Sequence, residues 1–172
     1  MNETVIEGEI LENKWFIAAI RGNLDDLKQF AENNVDKRDE NGCTALMYCA
    51  NLGHIDCVKY LVDNGYELCI CDKNGNTALM YAAISDQIDI VKILAKHESG
   101  IRNKENKTAY NLAIEHNNLQ CAEFLKSFEG NTDASAEGKN LKKDLYKLEK
   151  AKKEMDKILA MQKQRKSDIQ IS

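Results

Sequence analysis

The side chains with the richest site chemistry in this 172-residue chain are three histidines and six cysteines. Cys69-x-Cys71, with His54, Cys57 or His97 to complete a set, raises the question of zinc. Structural zinc sites pair their ligands at Cys-x2–4-Cys spacing, which a single intervening residue does not meet. Reduced thiols also pack as small hydrophobes. All six cysteines are therefore expected in the core or at the surface, with no metal site. Gly-x4-Gly-Lys-Ser/Thr, His-Glu-x-x-His and Gly-x-Ser-x-Gly are all missing, so phosphoryl transfer, metal hydrolysis and acyl transfer lack their usual residues. The expectation is a protein that is not an enzyme and uses no cofactor.

A second candidate chemistry is anion binding. Residues 139–172 hold 11 basic residues against 5 acidic ones, and residues 1–138 hold 13 against 23, so a net charge of -4 conceals balances of +6 and -10. Lys142, Lys143, Lys147, Lys150, Lys152, Lys153 and Lys157 could neutralise phosphates. Asp144, Glu149, Glu154 and Asp156 interrupt them, and Tyr146 is the only aromatic there for base stacking. Glu149 and Lys153 have the spacing of a helix-surface ion pair. The segment thus reads as a solvated helix, and nucleic acid is not the expected partner. The longest apolar run, Ala78 to Ile84, is far below the ~20 residues of a membrane span. The N-terminus has neither a basic nor a long apolar leader region, which points to the cytoplasm, with the nucleus as the other option.

The elements that position these residues come from a repeat. Asp39-Glu-Asn-Gly-Cys-Thr-Ala-Leu-Met-Tyr-Cys-Ala50 recurs 33 residues later as Asp72-Lys-Asn-Gly-Asn-Thr-Ala-Leu-Met-Tyr-Ala-Ala83. Asn103 to Ile114 is a weaker copy 31 residues on, and Asn13 to Ile20 a degenerate first one, so four units cover about residues 10 to 128. Each reads as a turn and two short helices. Asn41-Gly42 and Asn74-Gly75 suit positive φ, and Thr44 and Thr77 stand where a hydroxyl can cap a first turn. Helical apolar spacing follows in Leu24, Leu27 and Phe30; Ile55, Val58, Leu61 and Val62; Ile88, Val91, Ile93 and Leu94; and Leu119, Ala122, Phe124 and Leu125. One such pair cannot bury its own apolar face, so neighbouring pairs must stack.

The period of 33, the Asp-x-x-Gly-x-Thr turn, the Thr-Ala-Leu-Met helix start and Leu52-Gly53-His54 make the sequence resemble the ankyrin-repeat family. The resemblance implies an all-α solenoid of stacked helix pairs with hairpin-like fingers, whose usual activity is binding other proteins. It also implies that His54 bonds between neighbouring loops. The chain departs from the family at Met47 and Met80 (usually His), Ala45 and Ala78 (usually Pro), Asp86-Gln87 and Asn117-Asn118 (usually Gly-His), Asn23 after Gly22, and Asn106 at the turn glycine.

The domain reading is a repeat domain over 1–128, a small polar linker over 129–138, an amphipathic helix over 139–166 and a disordered tail over 167–172. Leu141, Leu145, Leu148, Met155 and Leu159 give the helix a coiled-coil seam, interrupted by Lys152. It suits a homodimer, another protein, or a return onto the solenoid. On the family's pattern, partner contacts fall on finger tips and the exposed side of the first helices. These are Glu40, Asn41, Cys43, Asn51 and Leu52; Lys73, Asn74, Asn76, Ile84 and Ser85; and Lys104, Glu105, Lys107, Glu115 and His116. Tyr48 and Tyr81 either form an aromatic ladder on the concave side or fill space between units. An apolar side chain at Ile84 would gain from being covered. The resulting expectation is a protein-binding adaptor or scaffold. The alternative is a regulatory inhibitor whose acidic solenoid masks a basic surface on an enzyme or a DNA-binding protein.

Overall fold

The computed structural model of the protein describes residues 14–129 and Met155. The chain divides into two units, Met1–Asp133 and Ala134–Ser172, and the fold is that of the first. The expected linker, amphipathic helix and tail lie outside the described residues, apart from Glu129 and the helical, exposed Met155. Among the described residues there is no strand, and eight helices form four pairs. They are α1 (14–21) with α2 (Leu24–Asn34), α3 (Ala45–Leu52) with α4 (Ile55–Asp63), α5 (Ala78–Ile84) with α6 (Ile88–Glu98), and α7 (Ala109–Glu115) with α8 (Leu119–Glu129).

The pairs stack in two layers. α3, α5 and α7 pack in sequence as an inner layer, and α2, α4, α6 and α8 form the outer one. Small residues let the inner helices approach: Ala45, Cys49, Ala50, Ala78, Ala82, Ala83 and Ala113 are all buried. Leu27, Val58, Leu61, Val91, Leu94 and Leu125 fill the gap from the outer helices, as their spacing requires. Leu119, expected on the same face, is 63% exposed. It opens the last described helix, with no further unit among the described residues to cover it. Ile114 is likewise 48% exposed, although its equivalents Ala50 and Ala83 are fully buried by the next unit.

The helix starts follow the sequence with one exception. Thr44 accepts from the Met47 amide at 3.4 Å, while the Met47 sulfur receives the Thr44 amide at 3.5 Å, so the residue that departs from the family closes the cap. Thr108 and Asn111 form the same reciprocal pair. Thr77 holds the N-cap backbone conformation, but its buried hydroxyl has no partner and caps nothing. Two buried carboxylates serve instead at the second position of each helix. Glu67 accepts from the Leu46 amide, and Glu98 from the Leu79 amide at 2.8 Å.

Neighbouring pairs are bridged where the family places histidine. His54 Nε2 lies 2.9 Å from Ile20 O, its ring lying where a Cβ on Gly22 would stand. Asn118 does the corresponding work two units later, donating to Ala83 O at 2.8 Å and Ile84 O at 2.7 Å. The preceding residue turns left-handed each time, with φ of 81° at Gly53, 54° at Asp86 and 59° at Asn117. Asp and Asn are the side chains that tolerate this region best, which explains why the glycine is dispensable there.

Ala45 and Ala78 are the first residues of α3 and α5, and the threonines before them are extended, with ψ of 167° and 172°. That is the geometry proline wants at a first helical position and demands of the residue before it. Ala45→Pro and Ala78→Pro should each stabilise the fold by roughly 0.4 to 1 kcal/mol, read as a shift in urea midpoint at unchanged slope. A lower midpoint would mean that the buried ring clashes.

Candidate functional site

Three turns project between the units, at residues 39–43, 72–76 and 103–107. Each is organised by its first side chain. Asp39 Oδ1 accepts from the amides of Asn41 and Cys43, both at 2.8 Å. Asp72 Oδ1 accepts from those of Asn74 at 2.8 Å and Asn76 at 2.7 Å, and Asn103 Oδ1 from those of Glu105 at 3.0 Å and Lys107 at 2.9 Å. The fingers are then stitched to one another through the backbone. The Lys73 amide donates to Asn41 O and the Lys104 amide to Asn74 O, both at 2.9 Å. The approach is close enough that a Cβ on Gly75, at φ 83°, would stand 2.9 Å from the Lys104 nitrogen, so the turn requires glycine for space as well as for conformation.

The two tyrosines are neither a free ladder nor mere filler. The Tyr48 hydroxyl donates to Asp39 Oδ2 at 2.6 Å and the Tyr81 hydroxyl to Asp72 Oδ2 at 2.8 Å, so each ties its inner helix to its own finger. Tyr48 also meets Phe16 edge to face, with centroids 6.1 Å apart. The Asp39 bond pushes the Tyr48 phenol well above its ordinary value, with burial adding to it. Burial and then the Asp72 bond do the same for Tyr81. Burial tends to raise the Asp39 carboxyl, but the Tyr48 hydroxyl and the turn amides outweigh it and hold the group below its ordinary value.

Between the second and third units these groups surround a cleft of about 430 Å³, lined by Asn41, Cys43, Met47, Tyr48, Asn51, Asp72, Lys73, Asn74 and Tyr81. Seven of the nine were expected from the sequence. Met47 and Asp72 were not, because both read as structural parts of the repeat and their inward faces are invisible in a linear pattern. Cys43 contributes less than expected, being only 8% exposed with its sulfur 3.7 Å from the Tyr81 hydroxyl. Burial pushes that thiol up, so the wall is uncharged there and is suited to contact rather than to nucleophilic attack.

The other expected contact residues divide by exposure. Glu40, Asn41, Lys73, Asn74, Lys104 and Glu105 are exposed at finger tips. Leu52, Glu115 and His116 are exposed at the ends of α3 and α7. Asn51 and Ser85 are half-buried and bonded to each other, Ser85 Oγ donating to Asn51 Oδ1 at 2.6 Å. Asn76 is engaged by Asp72 and Asn103, and Lys107 by Glu105 and Glu115, which leaves both less available. Ile84 is only half exposed, because α5 is enclosed between α3 and α7.

Sequence reading missed the buried acids altogether. Glu67 and Glu98 each stand five residues before the first residue of the next finger, Asp72 and Asn103, the place that the buried Asn34 holds before Asp39, a signal that was present in the repeat. Glu67 and Glu98 are 1% and 2% exposed, and the Glu67 amide donates to Asp36 at 3.1 Å. None of the six cysteines is in a disulfide among the described residues. Among the described residues no group of three or more His, Cys, Asp or Glu could hold a metal ion, and no helix is long and apolar enough to cross a membrane.

The family description "Ankyrin repeats (3 copies)" matches this chain over residues 15–104 and again over 64–137. The human ankyrin repeat domain-containing protein 29 is 48% identical over 61 residues, which is 34% of this chain and 20% of that protein. The similarity thus spans about a fifth of the relative's length.

Proposed function

The chain belongs to the ankyrin-repeat family, and from that premise we propose that it is an adaptor that holds a protein partner in the concave cleft between its second and third units. Ankyrin repeats are in general protein–protein interaction modules, and the family is typically a non-enzymatic interaction fold. The observation that carries the finer reading is the cleft itself. Its walls are pinned by two tyrosine–aspartate bonds and by finger-to-finger backbone bonds. A partner therefore meets a surface that loses little freedom on binding. Aromatic rings with exposed carboxamides around them are the composition that favours binding hot spots. In the same reading the basic segment 139–166 serves self-association or a second partner, and sedimentation with and without it separates the two.

Asn51→Arg fills the cleft from its half-exposed floor and should strip the partner captured from native cells, while the loss of the Ser85 hydroxyl's acceptor lowers the melting temperature by no more than a few degrees. Lys59→Glu, on the exposed side of α4, should leave capture intact. The adaptor reading fails if both variants retain the partner. The acid excess of residues 1–138 favours a second reading, an inhibitor that masks a basic surface. Affinity would then drop steeply with ionic strength.

A further inference from the structure

The cleft lies within a row of charges whose order is unusual for an acidic solenoid. Glu40, Lys73 and Lys104 hold equivalent tips in the three fingers, and all three are exposed. Among the described residues neither lysine makes an ion pair, whereas Lys92 pairs with Asp89 at 3.2 Å and Lys107 with Glu105 at 2.8 Å and Glu115 at 2.9 Å. The acid beside Lys73 makes no ion pair with it, and both oxygens of Asp72 face the turn amides, Asn76 and the Tyr81 hydroxyl instead. Lys73 also lines the cleft.

The tips are held in register by the Lys73 and Lys104 backbone amides, so their spacing follows that of the helices behind them. Packed helices lie about 8–10 Å apart. A polyproline-type segment has three residues per turn at ~3.1 Å each, which returns the same face after about 9 Å. The two periods coincide. We propose that the partner enters the concave groove as such an extended segment, with a basic residue facing Glu40, an acidic one three places on facing Lys73, and a second acidic one three further facing Lys104. An apolar side chain between the first two is seated in the cleft against Met47 and Tyr81. This deepens the adaptor reading and rests on it.

Labelled synthetic peptides test the order by fluorescence anisotropy with the full chain at low salt. The peptide with charges in the stated order should bind. Lys73→Glu should weaken it at least tenfold, and exchanging the facing acid for a lysine should restore affinity to that variant. The Lys73 side chain makes no bond within the described residues, so the variant should fold normally, checked by circular dichroism. Equal or tighter binding of the charge-inverted peptide overturns the proposal, as does an absence of binding or indifference to Lys73→Glu. If the peptides fail while Asn51→Arg still strips the cellular partner, the charge order is wrong and the adaptor stands. If Asn51→Arg has no effect either, the adaptor reading itself is wrong.

Discussion

Asp72→Ala should lower the stability of the fold by about 2 to 4 kcal/mol, the largest effect expected of any single side chain at the site. The carboxylate is 8% exposed and receives the amides of Asn74 and Asn76, the Tyr81 hydroxyl and the Asn76 side chain. Alanine leaves these donors without an acceptor in a place where water reaches them poorly, and hydrogen bonds to a charged group contribute about 1.5 to 3 kcal/mol each when broken. The loss stays below their sum because the finger can relax toward solvent. The fourth unit supplies the control. Asn103 organises an equivalent turn with a neutral carboxamide, so Asp72→Asn should cost only about 1 kcal/mol. Urea denaturation of the three proteins checks the ranking. Equal midpoints for the alanine and asparagine variants would show that the turn does not depend on the acceptor.

The second large effect is a dependence on pH centred on Glu67. Burial drives its carboxyl up to about 7, against the Leu46 amide and Thr44, which favour the charge, and with the help of the negative Asp36. The buried Trp15 indole beside it favours the charge more weakly, since its N–H and the second carboxyl oxygen are not aligned as a full hydrogen bond. Since the folded value lies above the unfolded one, folding favours the protonated acid. The resulting stabilisation is complete below about pH 4.5 and is lost as pH rises through 7. By linkage the full difference is on the order of 3 kcal/mol. Glu67→Gln keeps an acceptor for Leu46 and removes the titration. Unfolding measured from pH 5 to pH 8 should show wild type losing stability relative to the variant. Parallel curves would mean that Glu67 is charged throughout.

Most of the fold was legible because ankyrin stacking repeats its chemistry. Thr44, Gly42, Gly75 and the first-helix alanines recur at a fixed interval, and each has a local reason to stand where it does. The failures share a cause. Thr77 is followed by the same Ala-Leu-Met-Tyr as Thr44, yet its hydroxyl finds no amide, since a cap depends on rotamer and reach, which spacing does not encode. Glu67 and Glu98 went unnoticed because periodicity arguments track apolar residues, while the role of a buried carboxylate shows in the amides that meet it. At the site, seven cleft residues were anticipated from their places in the repeat. The roles of Tyr48 and Tyr81 became visible only with their hydroxyls on Asp39 and Asp72. Cys43 and Ile84 were counted as exposed because the finger and α5 were considered without the neighbours that cover them.

The central claim is that a protein partner occupies the concave cleft, and photo-crosslinking from single positions in the native cell tests it without knowledge of the partner. A photoreactive side chain at Asn51 or Asn74 should capture one protein, and the same group at Lys59 or Glu123 on the outer helices should not. Capture from the outer positions, with none from the cleft, would contradict the account.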